Sequence, residues 1–99
     1  MILIQVNSEI NERFSNLMLV RQITSQRVEL NSGTYTNITL DASYDGYTPL
    51  GIIGFAAGSA QFYVAGARMS GENAVLTIGA HAGSSGSPDV RVLYMKNFL

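Results

Sequence analysis

The chain has 99 residues and a formal net charge of −1, a length that suits one domain with a single thin core. Its six Lys and Arg are scattered, which excludes a basic stripe for nucleic acid or a charged membrane-surface patch; the lack of cysteine excludes disulfides and thiolate metal sites, and no apolar run approaches the roughly 18 residues of a membrane-spanning helix. Charged residues make up only 13%, about half the usual share, so Ser, Thr, Asn and Gly carry the solvated surface or another chain covers part of it.

Residues 1–25 read as a lead segment. Met1–Val6 is too short for a signal-peptide apolar region, and acidic residues soon follow it. Ile10, Phe14, Leu17 and Met18 recur at helical spacing, with Ser8 as a candidate cap and Glu9 and Glu12 in the first turn. Leu17, Leu19 and Ile23 also alternate as a strand would. The segment is therefore expected to be a short helix, a strand or a linker.

From position 26 onward the pattern changes. Turn signals recur about every ten residues, at Asn31-Ser32-Gly33, Asp45-Gly46, Gly58-Ser59, Ser70-Gly71-Glu72-Asn73 and Gly83–Pro88. The runs between them, 26–30, 34–40, 50–57, 60–69, 74–80 and 89–96, are rich in Val, Ile, Thr, Tyr and Phe and predict strands. The run 50–57 is apolar almost throughout and predicts a central strand covered on both faces. In 60–69, Phe62 and Val64 fall on one face, Tyr63 and Met69 on the other. In 89–96, Val90, Val92 and Tyr94 oppose Arg91, Leu93 and Met95. A type I turn is expected at Ser70–Asn73, and Gly79–Pro88 reads as a flexible exposed loop. These elements predict an all-β fold: an antiparallel β-sandwich, jelly-roll-like, forming one domain over 26–99. Its expected core is Ile38, Leu40, Ile52, Phe62, Val64, Leu76, Ile78, Val90 and Val92.

The chemistry-bearing residues are few. His81 is the sole histidine and has no Cys or second His to complete a metal or catalytic pair. Asp41-Ala42-Ser43-Tyr44-Asp45-Gly46 matches the first half of a calcium loop, but the position of the closing Glu holds Ile52 and Pro49 intervenes, so a plain turn explains it better. Gly51, Gly54 and Gly58 precede no helix and form no phosphate loop, which leaves close packing or a bulge as their reason. No nucleophile has a base and no carboxylate pair is placed for acid–base work, so no catalytic residue, metal or cofactor is assigned and a non-enzymatic protein is expected. Asn37-Ile38-Thr39 fits a glycosylation sequon but lies within a predicted strand. Five tyrosines exceed the needs of so small a core, and tyrosine suits amphipathic contacts, including sugar stacking, as well as cross-strand pairing. Tyr44, Tyr47 and His81 are the candidate ligand contacts. Tyr63, Met69, Leu93 and Met95 do not suit a wet sheet face. Either the terminal segment covers them or they form an oligomer interface with Phe14 and Leu17.

From Val28 to the end the chain resembles the C-terminal β-sandwich domains of tail-fibre-like structural proteins of tailed phages and prophages. The residues concerned are Val28-Glu29-Leu30-Asn31-Ser32-Gly33-Thr34-Tyr35-Thr36-Asn37-Ile38-Thr39-Leu40, Gly46–Gly54, Met69–Asn73 and Val90–Lys96. The resemblance implies a structural protein of the virion tail, or a prophage-encoded one, that forms a homotrimer and displays a tip to a host-surface glycan or receptor, with no catalytic residue to carry over. The rival expectation is a carbohydrate-binding module of a bacterial surface or secreted, hence extracellular, protein.

Overall fold

The computed structural model describes residues 17–98. Eight strands account for most of them: β1 (Met18–Thr24), β2 (Val28–Leu30), β3 (Tyr35–Asp41), β4 (Tyr47–Ala56), β5 (Phe62–Ser70), β6 (Asn73–Ala80), β7 (Ser84–Gly86) and β8 (Asp89–Lys96). The expected all-β antiparallel sandwich is what forms. Two three-stranded sheets, in the orders β1-β8-β4 and β3-β6-β5, face each other, and β2 with β7 makes a short separate ribbon. All pairings are antiparallel, and three of them nest: β1 with β8, β2 with β7, β3 with β6. A long two-stranded ribbon folded over on itself gives this nesting, and it is the organising pattern of a jelly roll.

The core follows from period-two alternation on the two central strands. Val90, Val92 and Tyr94 point inward from β8 and are fully buried. Leu76 and Ile78 meet them from β6, flanked by Ala74 and Ala80. Leu40 and Phe62 complete the buried set, while Ile38, Ile52 and Val64 pack against it from the edge strands. The Tyr94 hydroxyl, a polar group carried into this core, donates to the carbonyl of Ala42. Among the described residues no buried side-chain nitrogen or oxygen lacks a partner, as a stable interior requires.

Four sequence expectations need correction. Residues 18–24 are β1, an edge strand of the sandwich whose Leu19 and Ile23 pack on the core, so the sandwich begins before position 26. β4 is an edge strand, not a central one: it pairs only with β8, and Leu50 and Ile53 are 50% and 57% exposed. Register shifts between Pro49 and Gly51 and between Ile52 and Gly54 insert extra residues there, which breaks simple alternation. The Gly79–Pro88 stretch is largely ordered by pairing: Gly79 and Ala80 end β6, Ser84–Gly86 is β7, and Pro88 is fully buried. The Gly71-Glu72 turn has φ of +61° at its first central position, which makes it type II′ rather than type I.

The ribbon end is fastened by backbone packing. A Cβ on Gly86 would meet the Gly58 carbonyl at 2.3 Å, and one on Gly58 would meet the Ser87 carbonyl carbon at 2.5 Å. Two segments thus approach more closely than any side chain permits.

Leu76→Ala should cost ~2–5 kcal/mol, because Leu76 is fully buried between the sheets. Ile53→Ala, on the exposed edge, should stay within about 0.5 kcal/mol. Urea unfolding of the two variants checks this; equal midpoints would contradict the assigned core.

Candidate functional site

The sandwich offers three surfaces with distinct chemistry: one capped end and two outer faces. The capped end is where β3 crosses to β4. Asp41 Oδ1 accepts from the Ser43 backbone N–H at 2.9 Å, and Tyr44 and Tyr47 bridge across the Asp45-Gly46 turn. Their rings stack at 5.1 Å with 19° between planes. The Arg21 guanidinium, from β1, lies 4.1 Å from the Tyr44 centroid and donates to the Ser43 carbonyl. Tyr94 meets Tyr44 edge-on at 5.9 Å. Arg21 and Tyr47 come from β1 and β4, the two strands that flank β8, and they hold the Tyr44 ring by a cation–π contact and by stacking. An open cleft of about 340 Å³ remains beside it, lined by residues including Asp45, Glu72 and Asn97. Tyr44, 41% exposed, and half-buried Tyr47, which packs on the core, both line this cleft.

The outer face of the β1-β8-β4 sheet is aliphatic. Register sets Met18 beside Met95 and Val20 beside Leu93, and across β8 Thr48 faces Met95 and Gly51 faces Leu93. Leu50 joins Met95 and Phe98 around an open groove of about 590 Å³. The next row is polar, with Gln22 beside Arg91, whose guanidinium lies against Gly54.

The outer face of the β3-β6-β5 sheet is aromatic and polar instead. Tyr35 of β3 and Tyr63 of β5 are both partners of Gly79 on β6. A Cβ on Gly79 would fall 2.2 Å from Tyr63 Cζ and 2.4 Å from its hydroxyl oxygen, so the phenol end of Tyr63 fills the space over the glycine. His81 sits 4.6 Å from the Tyr63 ring at a 35° tilt. Tyr35 stands beyond, 73% exposed. The following row pairs Asn37 with Thr77, whose hydroxyl donates to Asn37 Oδ1 at 2.6 Å.

The residues expected to act together are distributed across these surfaces. Leu93 and Met95 do share the aliphatic face, and half-buried Leu17 directly precedes β1. Tyr63 is on the opposite outer face, and Met69 points into the core. A bulge between Val64 and Gly66 causes the latter: one extra residue reverses which face every later side chain takes. Phe14 lies outside the described residues. Tyr44 and Tyr47 sit at the Asp41/Asn73 end, whereas His81 follows Ala80 at the other; an eight-residue strand separates them, about 25 Å. Sequence reasoning missed Tyr35 as a site residue, although its parity opposite to Ile38 and Leu40 already turned it outward. It also missed Arg21, which nothing in the sequence ties to Tyr44.

Among the described residues no group of three or more His, Asp or Glu is placed to hold a metal ion, and no helix is long and apolar enough to cross a membrane. Hydrogen bonds from the Ser43 hydroxyl and backbone N–H hold the Asp41 carboxyl below its ordinary value of 3.8, with the Arg21 charge adding to the effect. A depressed carboxylate stabilises the fold above its unfolded value, and that contribution is lost as pH falls through the folded value. An NMR titration of Asp41 should accordingly give a midpoint below 3.8, moving back toward it in Ser43→Ala. Since Asp41 works through its own turn, thermal midpoints with excess calcium and with chelator should coincide; a rise of several degrees with calcium would reassign this turn as a metal loop.

Set against known protein families, curated proteins and solved structures, the chain matches none.

Proposed function

We propose that the chain is a non-enzymatic, oligomeric module of the phage or prophage tail-fibre type, a homotrimer that presents a binding tip to a host-surface glycan or receptor. Its place is then the virion tail or a prophage product of the same kind. The observation that carries this reading is the aliphatic outer face of the β1-β8-β4 sheet. Met18, Val20, Leu50, Leu93 and Met95 form two adjacent apolar rows on a sheet face that a lone sandwich would leave in water. Contiguous apolar patches on small proteins mark contacts with other molecules, and methionine is enriched where protein surfaces meet. The 13% charged content fits the same picture, because a surface buried between copies needs no charge. In such an assembly each tip carries several copies of one weak site, and multivalency supplies the avidity.

A second reading, a carbohydrate-binding module of a bacterial surface or secreted protein, is favoured by the aromatic row on the opposite sheet and needs no oligomer. Sedimentation equilibrium separates the two. A mass about three times 10.7 kDa, reverting to the single-chain value in Leu50→Asp, is the expected result, since a buried unpaired charge is heavily penalised. Leu50 lies half-exposed on an edge strand, so the variant keeps its fold. A single-chain mass for the unaltered protein at micromolar concentration would refute the trimer.

A further inference from the structure

We infer that the outer face of the β3-β6-β5 sheet is a glycan-binding surface, on which Tyr35, Tyr63 and His81 pack against sugar rings while Asn37 and Thr77 engage hydroxyls. The inference rests on reading the chain as a surface-binding module and is independent of its oligomeric state.

The register builds the platform. Tyr35 and Tyr63 both stand opposite Gly79, so two phenols occupy one row across three strands with no side chain between them. Their backbones are about 10 Å apart, two strand spacings, which is the span of two linked pyranose rings. Glycine is required at the centre, because any Cβ there would strike the Tyr63 ring. The phenol end of Tyr63 leans across Gly79 and the side chain stays 40% exposed. His81 packs against the Tyr63 ring, 4.6 Å away at a 35° tilt. Tyr35, 73% exposed, gains little from folding; its apolar body and polar tip suit a ligand that is itself amphipathic.

The next row supplies hydrogen bonds. The Thr77 hydroxyl occupies the Asn37 amide oxygen, which orients that amide and leaves its NH₂ to donate outward. Thr77 keeps lone pairs to accept. The combination of exposed tyrosine rings and a fixed amide–hydroxyl pair matches a pyranose, whose C–H groups present an apolar face and whose rim presents hydroxyls. Charge narrows the class further. On this face Arg68 pairs with Val75 and Asp41 with Asn73, both rows beyond the Asn37–Thr77 pair. Among the described residues no Lys or Arg stands in the tyrosine row, so a polyanion lacks the charges it needs. Neutral glycans with equatorial substituents, flat on one face, are the best fit.

Calorimetric titration with chitotetraose, cellotetraose and mannotetraose tests this. At least one tetrasaccharide should bind the unaltered protein, with affinity about tenfold weaker in Tyr35→Ala, roughly the weight of one aromatic contact, and retained in Tyr35→Phe. Tyr35 is exposed enough for both variants to fold, and Leu50→Asp, on the other sheet, should leave binding per chain unchanged. Failure of all three sugars to bind at ~1 mM, or binding indifferent to Tyr35→Ala, would overturn the assignment. Sedimentation keeps the two questions apart: a single-chain mass with sugar binding intact refutes the assembly and leaves this face standing, while a trimeric mass without binding does the reverse.

Discussion

The hydroxyl of Tyr94 sits at the junction on which the sandwich depends. It projects from β8, the central strand of one sheet, and its hydrogen bond goes to Ala42, the first residue after the central strand's counterpart sheet has given up β3. One buried side chain thus pins the crossing between sheets to the strand both edges share. Removing the partner would leave a buried polar group unpaired, which costs more than the bond itself contributes. The same ring receives the edge of Tyr44, and Tyr44 in turn is held by Arg21 and Tyr47. Three strands and one turn therefore converge on a single phenol, and the end of the sandwich is closed by rings rather than by a long loop.

That closure separates two outer faces with different chemistry. Strand parity decides which residues each face receives, and the inner positions are committed to the core. The outer positions of β1 and β8 toward the Met95 end are Met18, Val20, Leu93 and Met95, with Gln22 and Arg91 following, while those of β3 and β6 near the ribbon end are Tyr35, Asn37, Thr77 and Gly79. A monomer concerned only with solubility would put polar residues on both. On the reading proposed above, one face joins copies of the chain and the other meets the ligand, so assembly does not consume the binding surface.

Much of this was legible in the residues. Alternation placed Ile38, Leu40, Leu76, Ile78, Val90 and Val92 inward, and all six lie in or against the core. Alternation fails where a strand gains a residue, because a bulge is a relation between two strands and leaves no mark on one. Met69 is the clearest case: its parity is right up to Val64 and reversed after Gly66. β7 went unseen for another reason. Ser84-Ser85-Gly86 brings no apolar side chain to its ladder with β2, and a strand without apolar side chains has no periodic signal. The edge position of β4 did have a sign, since Pro49 has no N–H to give a second neighbour. The site was less legible than the fold. Tyr63 and Tyr35 are 28 residues apart in a chain whose only hint of their meeting is the glycine they share.

The nested pairing has a consequence for the order of folding. β1 finds its partner only in β8, so residues 18–24 have nothing to pair with until residues 89–96 have been synthesised. The β5–β6 hairpin, joined by a two-residue turn, can form early and locally; the β1-β8-β4 sheet closes last and over the longest loop. Closing long loops before any contact rewards them slows folding, and during that interval Val20, Leu50 and Leu93 lie on unpaired strands. Neighbouring copies emerging from the same message would meet those strands at high local concentration. The interval in which the chain is most exposed to wrong partners is thus also the one in which its own copies are nearest.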